Sequence, residues 1–170
     1  MLSLSVLTVL ASTAMADQSH VVPALHCEAV SGSAGYANGN IYNSGTSTAN
    51  VNCPMDQLVS SGYIDPDTAY VYVVDPSTKG DIKCTVWSAE IKAGSSGVSS
   101  SYYSTSYSGS SSGASSTLQV IPISITGTAE LYAVDSTWGS VQFLACSLPT
   151  YSTSGRNATV MSYAWDEIGS

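Results

Sequence analysis

The chain has 170 residues, of which 9% are charged, with 4 Lys and Arg against 12 Asp and Glu and a formal net charge of −8. Such a balance excludes nucleic acid and anionic membrane surfaces as partners, because both are bound by Lys and Arg neutralising phosphates. A hydrophobic content of 44% with so little charge also excludes disorder of the chain as a whole.

Residues 1–16, MLSLSVLTVLASTAMA, form an apolar stretch that ends in Ala14-Met15-Ala16. A small-x-small ending after an apolar segment is the pattern of a cleaved secretory signal peptide, here without the usual basic start. The stretch is interrupted by Ser and Thr and falls short of the roughly 20 apolar residues that span a bilayer. The expectation is therefore a secreted protein, extracellular or periplasmic, with a mature chain of one domain over 17–170 and no membrane span.

Along 17–170 no window keeps the i, i+3, i+4, i+7 apolar spacing of a long helix, whereas short alternating runs recur between Gly, Pro, Asn and Asp. The spacing predicts strands near 25–31, 38–43, 47–53, 68–75, 81–90, 97–107, 117–125, 128–135, 139–147 and 158–166. TAYVYVVD and DIKCTVW, separated by PSTKG, read as one hairpin, and LYAVDSTWGSVQFLAC reads as a second that turns near Asp135 to Gly139. Strands this short and this regularly spaced predict an all-β, antiparallel β-sandwich of immunoglobulin-like or jelly-roll-like type.

Side chains alternate faces along a strand, so each of the four cysteines is judged with its neighbours two residues away. Leu25, Cys27 and Ala29 share a face, as do Val51, Cys53 and Met55, then Ile82, Cys84 and Val86, then Leu144, Cys146 and Leu148. All four cysteines are thereby expected to point inward as two structural disulfides. Three pairings are possible for four cysteines, and the reading favours Cys27–Cys53, stapling an N-terminal pair of strands, and Cys84–Cys146, tying distant strands across the core. Neither a zinc nor a redox role is expected of cysteines this scattered, with no Cys-x-x-Cys.

Residues 95–116, SSGVSSSYYSTSYSGSSSGASS, are the one low-complexity stretch. Tyr103, Thr105 and Tyr107 alternate within it, which predicts an exposed strand to about 107 and a Ser/Gly-rich loop over 108–116. Gly109-Ser110-Ser111-Ser112-Gly113 matches G-x-S-x-G in letters alone: a nucleophile elbow needs a strand-turn-helix and a downstream histidine, and His20 and His26 both precede it. Glu28, Glu90, Glu130 and Glu167 are carboxylates of the kind a glycosidase uses in pairs, yet nothing in their spacing pairs them. No catalytic residue and no cofactor is expected. Asp65, Asp67, Asp75 and Asp81 form a weak calcium candidate, since clustered loop carboxylates suit a hard cation, although Asp-Pro turns account for them equally well.

Several short motifs recur together: Gly39-Asn40-Ile41-Tyr42-Asn43-Ser44 leading to Val51-Asn52-Cys53-Pro54, then Tyr70-Val71-Tyr72-Val73-Val74-Asp75, Lys83-Cys84-Thr85-Val86, Ala145-Cys146-Ser147-Leu148-Pro149 and Ser162-Tyr163-Ala164-Trp165-Asp166-Glu167. In this order they resemble a group of small, uncharacterised exported bacterial β-sandwich proteins with Cys-Pro and Cys-x-[LI]-Pro strand motifs. The resemblance implies a sandwich; it carries over no activity and no catalytic residues.

The composition leaves a binding module or a surface structural component ahead of an enzyme. Rigid aromatic rings with a polar handle suit a glycan or a protein surface, and the candidate ligand contacts are Trp87, Trp138, Tyr102, Tyr103 and Tyr107. Trp87 is out of phase with Cys84 and Val86 and so faces outward. The uncharged strand at 97–107 lacks the charges and prolines that block edge pairing, which points to self-association, extending to filaments, as the alternative.

Overall fold

The strictest alternation in the chain, TAYVYVVD at Thr68–Asp75, becomes a strand in which Ala69, Val71, Val73 and Asp75 are buried and the residues between them are half-buried. A period of two is what a strand with one face on a core requires. In the computed structural model the described residues are 18–55, 68–91, 93–94, 97–98, 104–125, 139–150 and 157–167. The stretch 1–16 that reads as a signal peptide, Asp65, Asp67, Tyr102, Tyr103, the strand expected at 128–135 and Trp138 lie outside them.

In chain order the strands are β1 (Gln18–Pro23), β2 (Glu28–Ser31), β3 (Ala34–Ala37), β4 (Asn40–Asn43), β5 (Ala49–Pro54), β6 (Thr68–Asp75), β7 (Lys83–Ile91), β8 (Ala93–Gly94), β9 (Gly97–Val98), β10 (Ser104–Ser110), β11 (Ser115–Ser124), β12 (Gly139–Leu148) and β13 (Thr159–Glu167), with a 3-10 turn at Ala24–His26. Sheet I runs β11-β6-β13-β4-β3, with β1 also on β13; sheet II runs β10-β7-β12-β5-β2; β8 and β9 form a two-stranded ribbon. All pairings are antiparallel. The protein is thus an all-β sandwich of two antiparallel sheets stapled by two disulfides.

The core fills the space between the sheets. Sheet I contributes Ile41, Val71, Val73, Ile121, Ile123, Tyr163 and Trp165, sheet II contributes Val51, Val86, Leu144 and Leu148 with Cys53, Cys84 and Cys146, and Cys27 joins them from the end of the 3-10 turn. Tyr163 and Trp165 stack with ring centroids 6.0 Å apart, and the Tyr163 hydroxyl donates to the Pro54 carbonyl of the other sheet, so even the aromatic polar tip is satisfied inside.

Both disulfides pair as the sequence favours, Cys27–Cys53 and Cys84–Cys146. The second does not cross the core: Cys84 and Cys146 are direct register partners on neighbouring strands β7 and β12, and their Cα atoms are 4.1 Å apart. Cys27 follows the 3-10 turn and bonds across to β5 one step before the Glu28–Asn52 pair. Each bridge therefore clamps two adjacent strands of sheet II from the inner side. The 3-10 turn also breaks the alternation expected around Cys27, since Leu25 and Ala29 are exposed while Ala24 and Cys27 are buried.

Other expectations are corrected by how the chain changes layers. TAYVYVVD and DIKCTVW are not a hairpin: β6 pairs with β11 and β13 in sheet I, whereas β7 pairs with β10 and β12 in sheet II. The intervening turn is an arch between layers, and Asp75 shapes it. Its carboxylate is fully buried and accepts from the Ser77 and Ile82 backbone N–H groups and the Ser111 hydroxyl. The loop expected over 108–116 shrinks to residues 111–114, because β10 extends to Ser110 and β11 begins at Ser115; Ser111 is buried in the Asp75 network and its N–H donates to the Ile82 carbonyl. Three further strands, β1, β3 and the two-residue β8, were not anticipated. β3 and β4 form a hairpin through Asn38 (φ 53°) and Gly39 (φ 82°), the positive-φ pair that favours a type I′ turn. His20 lies in β1, opposite Trp165.

A second buried polar side chain closes the same end of the sandwich. The Asn43 amide donates to the carbonyls of Ser47, Leu148 and Pro149 while its oxygen accepts from the Gly45 N–H. One side chain therefore satisfies backbone groups from two loops that would otherwise be orphaned.

Where β10 lies over β11 the two layers nearly touch. A Cβ on Gly109 would sit 2.6 Å from Ile121 Cγ2 and 2.8 Å from the Pro122 carbonyl oxygen, so only glycine lets the layers close here. Gly109→Ala is expected to destabilise the fold by about 2 kcal/mol through overpacking, read as a lower urea midpoint at unchanged slope.

Candidate binding face on sheet II

Strand register dictates what the outer face of sheet II presents. With Val86, Leu144, Cys84, Cys146, Val51 and Cys53 committed to the core, the residues between them must point outward. Ser106, Trp87, Phe143 and Pro54 then form one row across β10, β7, β12 and β5. Ser108, Thr85, Ala145, Asn52 and Glu28 form the next.

Trp87 and Phe143 are both half-buried. Their rings lie nearly parallel, 13° apart, with centroids at 6.4 Å, an offset arrangement of the kind aromatic pairs favour. The pair makes an apolar patch with Pro54 and Ala145, bordered by Ser106, Ser108, Thr85 and Asn52. Thr85 Oγ1 and Ser108 Oγ are hydrogen-bonded at 2.8 Å, and the Asn50 amide donates to Ser31 Oγ at 2.7 Å, which fixes these side chains along the face. Among the described side chains, charge enters this face at its margins, at exposed Lys83 and Glu28. Flat aromatic surface beside hydroxyls and amides can stack on the apolar face of a sugar ring while the neighbours bond its hydroxyls.

Of the sequence-derived aromatics, Trp87 faces outward as expected. Tyr107 does not: it is opposite Val86 and packs against the core, because the alternation of β10 sends Ser106 and Ser108 outward instead. Tyr102, Tyr103 and Trp138 lie outside the described residues, and Trp165 is core. Phe143 was missed, although its signal was present: with Leu144, Cys146 and Leu148 inward, the chain's single phenylalanine has to face out. Glu28 and His26 are exposed. The side chains of His20, Glu90 and Glu167, and Glu130 altogether, lie outside what is described.

The aspartates do not assemble into a calcium site on what is described. Both carboxylate oxygens of Asp75 are taken by protein donors in a buried pocket, while Asp81 is exposed; Asp65 and Asp67 lie outside the described residues. Among the described residues no group of three or more His, Cys, Asp or Glu could hold a metal ion, and no helix is long and apolar enough to cross a membrane.

The outer face of sheet I is different in kind. Its rows Val21–Ala164–Tyr70–Pro122 and Pro23–Ser162–Tyr72–Val120 mix aliphatic residues, prolines and tyrosines, with Val21 and Val120 well exposed. Neither row contains an Asn, Gln or charged residue to orient a polar ligand. The Trp87–Phe143 face, which has both rings and polar neighbours, is the better candidate site. In comparisons with known proteins, no family model, no curated protein and no solved structure matches this chain.

Proposed function

We propose that the protein is a secreted, non-catalytic β-sandwich that acts outside the cytoplasm as a binding or surface structural component, holding glycan against the outer face of sheet II. The observation that carries the reading is the parallel Trp87–Phe143 pair, set beside Thr85, Ser108 and Asn52 on a face whose described side chains carry charge at its edges. Export is supported by the apolar MLSLSVLTVLASTAMA stretch and by two disulfides, which persist in oxidising compartments. A neutral, hydroxyl-rich ligand also fits the charge: a chain at −8 repels polyanions but not neutral sugars.

Affinity electrophoresis against a panel of neutral polysaccharides, followed by a glycan array, tests this. Trp87→Ala is expected to weaken binding about five- to tenfold, the loss of one stacking contact worth about 1 kcal/mol, with the far-UV circular dichroism unchanged. Trp87→Ala/Phe143→Ala is expected to abolish retardation. Equal retardation of wild type and double variant by every retained glycan would sink the reading. A second reading, self-association, is favoured by the position of β10 and is developed next.

A further inference from the structure

We propose that two copies of the chain pair through β10 about a two-fold axis, joining their sheets II into one continuous sheet and closing as a dimer. Among the described residues β10 pairs only with β7 and is the edge of sheet II. Its phase is fixed by the Ser111 N–H donating to the Ile82 carbonyl. Because antiparallel residues alternate between bonded and non-bonded pairs, Gly109, Tyr107 and Thr105 spend their backbone groups on β7. Ser104, Ser106, Ser108 and Ser110 direct theirs to the open side. The close Cα approach of Cys84 and Cys146, 4.1 Å, agrees, since it marks Cys84 as unbonded toward β12 and bonded toward β10.

The other edges each carry a device that discourages pairing. β11 has Pro122 and a register shift between Ser115 and Leu118; β2 has Glu28 and a register shift between Ala29 and Ser31; β3 has four residues; β1 ends at Pro23. β10 has seven residues with no proline and no charge. It also lies in a stretch free of charge and histidine from Ala93 to Ala129, which includes β11, the strand beneath it in the other layer. Two chains at −8 repel one another over most approaches; β10 and β11 themselves carry no charge to add to that repulsion.

A second copy, rather than a foreign strand, follows from self-complementarity. Centring the axis on Tyr107 sets Ser106 opposite Ser108 and Ser104 opposite Ser110 of the second copy, so that every outward backbone group of β10 meets its counterpart; Ser106 meets Ser108 on the outer face, and on the core side Tyr107 meets Tyr107 of the second copy across the axis. A two-fold pairing uses the same edge of both copies and therefore ends there. Filaments would need β10 to pair with β2, whose Glu28 and register shift oppose it. The axis stands perpendicular to the sheet, so both Trp87–Phe143 patches come to the same side. That last consequence rests on the glycan reading: the dimer would be bivalent, and a multivalent polysaccharide would bind it with avidity.

Sedimentation velocity of the native, oxidised protein over a wide concentration range is the test. The expected result is a monomer–dimer equilibrium with no larger species. Ser106→Lys/Ser108→Lys and Ser106→Glu/Ser108→Glu should each sediment as monomers with wild-type circular dichroism, and an equimolar mixture should regain a dimer, because Lys then faces Glu across the axis. Wild type that is monomeric at every concentration overturns the proposal, as do folded variants that remain dimeric; species that keep growing with concentration overturn the closed two-fold form. Sedimentation needs no ligand, so a failed glycan screen leaves this result standing, and a monomer leaves the glycan result standing.

Discussion

Removing the Cys84–Cys146 bridge by Cys84→Ala/Cys146→Ala is expected to cost about 4 kcal/mol, and removing Cys27–Cys53 about 3.5 kcal/mol, from the loop entropy returned to the unfolded chain. The difference follows from loop length, a sequence separation of 62 against 26. Folded domains are stable by about 5–15 kcal/mol in total, so losing both bridges should leave the chain largely unfolded at physiological temperature. Urea titrations of the two paired-alanine variants and the four-alanine variant check the order and the near-additivity. All four cysteines are 2% exposed or less, so a reductant reaches them only when the sandwich opens. The rate of reduction in native buffer should therefore track the rate of opening, and stay slow where the protein is stable. Rapid reduction with no loss of tertiary signal would show that the bridges are not core elements.

The buried carboxylate of Asp75 provides the second large effect. Asp75→Ala is expected to cost about 2–4 kcal/mol, since it deprives the Ser77 N–H of its acceptor and leaves Ile82 and Ser111 with only each other, at about 1–3 kcal/mol per buried unsatisfied group. Asp75→Asn should cost less, because one oxygen survives, yet its NH2 must then face an N–H donor from Ser77 or Ile82. Ser111→Ala should cost least, about 1 kcal/mol, as the Ile82 N–H keeps its bond to Asp75. Chemical denaturation of the three variants reads the order directly. If Asp75→Asn were instead indistinguishable from wild type, the carboxylate would not be what holds the arch between β6 and β7.

These effects bear on function through position. Asp75, Ser77 and Ser111 hold the arch from β6 into β7 and the turn from β10 into β11, while Asn43 holds the loops at Ser44–Thr48 and Leu148–Pro149. β7 carries Trp87 and β12 carries Phe143. The latch that sets how β6 passes into β7, and the disulfide that locks β7 to β12, together fix the parallel ring pair on the outer face, so the stability of the fold and the geometry of the proposed binding face share a cause.

The sequence by itself determined what depends on neighbours along the chain. Period-two alternation placed Cys53, Cys84 and Cys146 in the core with their flanking apolar residues, put Trp87 outside, and made the protein all-β, because a strand's faces are set by local geometry alone. The same rule extends to Phe143 and turn chemistry to Asn38-Gly39, and although both were missed, both signals lie in the local sequence. Only the tertiary structure decided which strands share a sheet. β6 and β7 are adjacent in sequence and lie in different layers, and Cys84–Cys146 proved an in-sheet clamp, because layer assignment depends on partners dozens of residues away. The fate of Asp75 was likewise decided there. A carboxylate in an Asp-Pro turn looks solvated from sequence, and its burial is tolerable only once Ile82, across the arch, and Ser111, remote in sequence, arrive to donate to it. Tyr107 turned inward for the same kind of reason, as its face was set by the register of β10 on β7, which nothing local to the serine-rich stretch specifies.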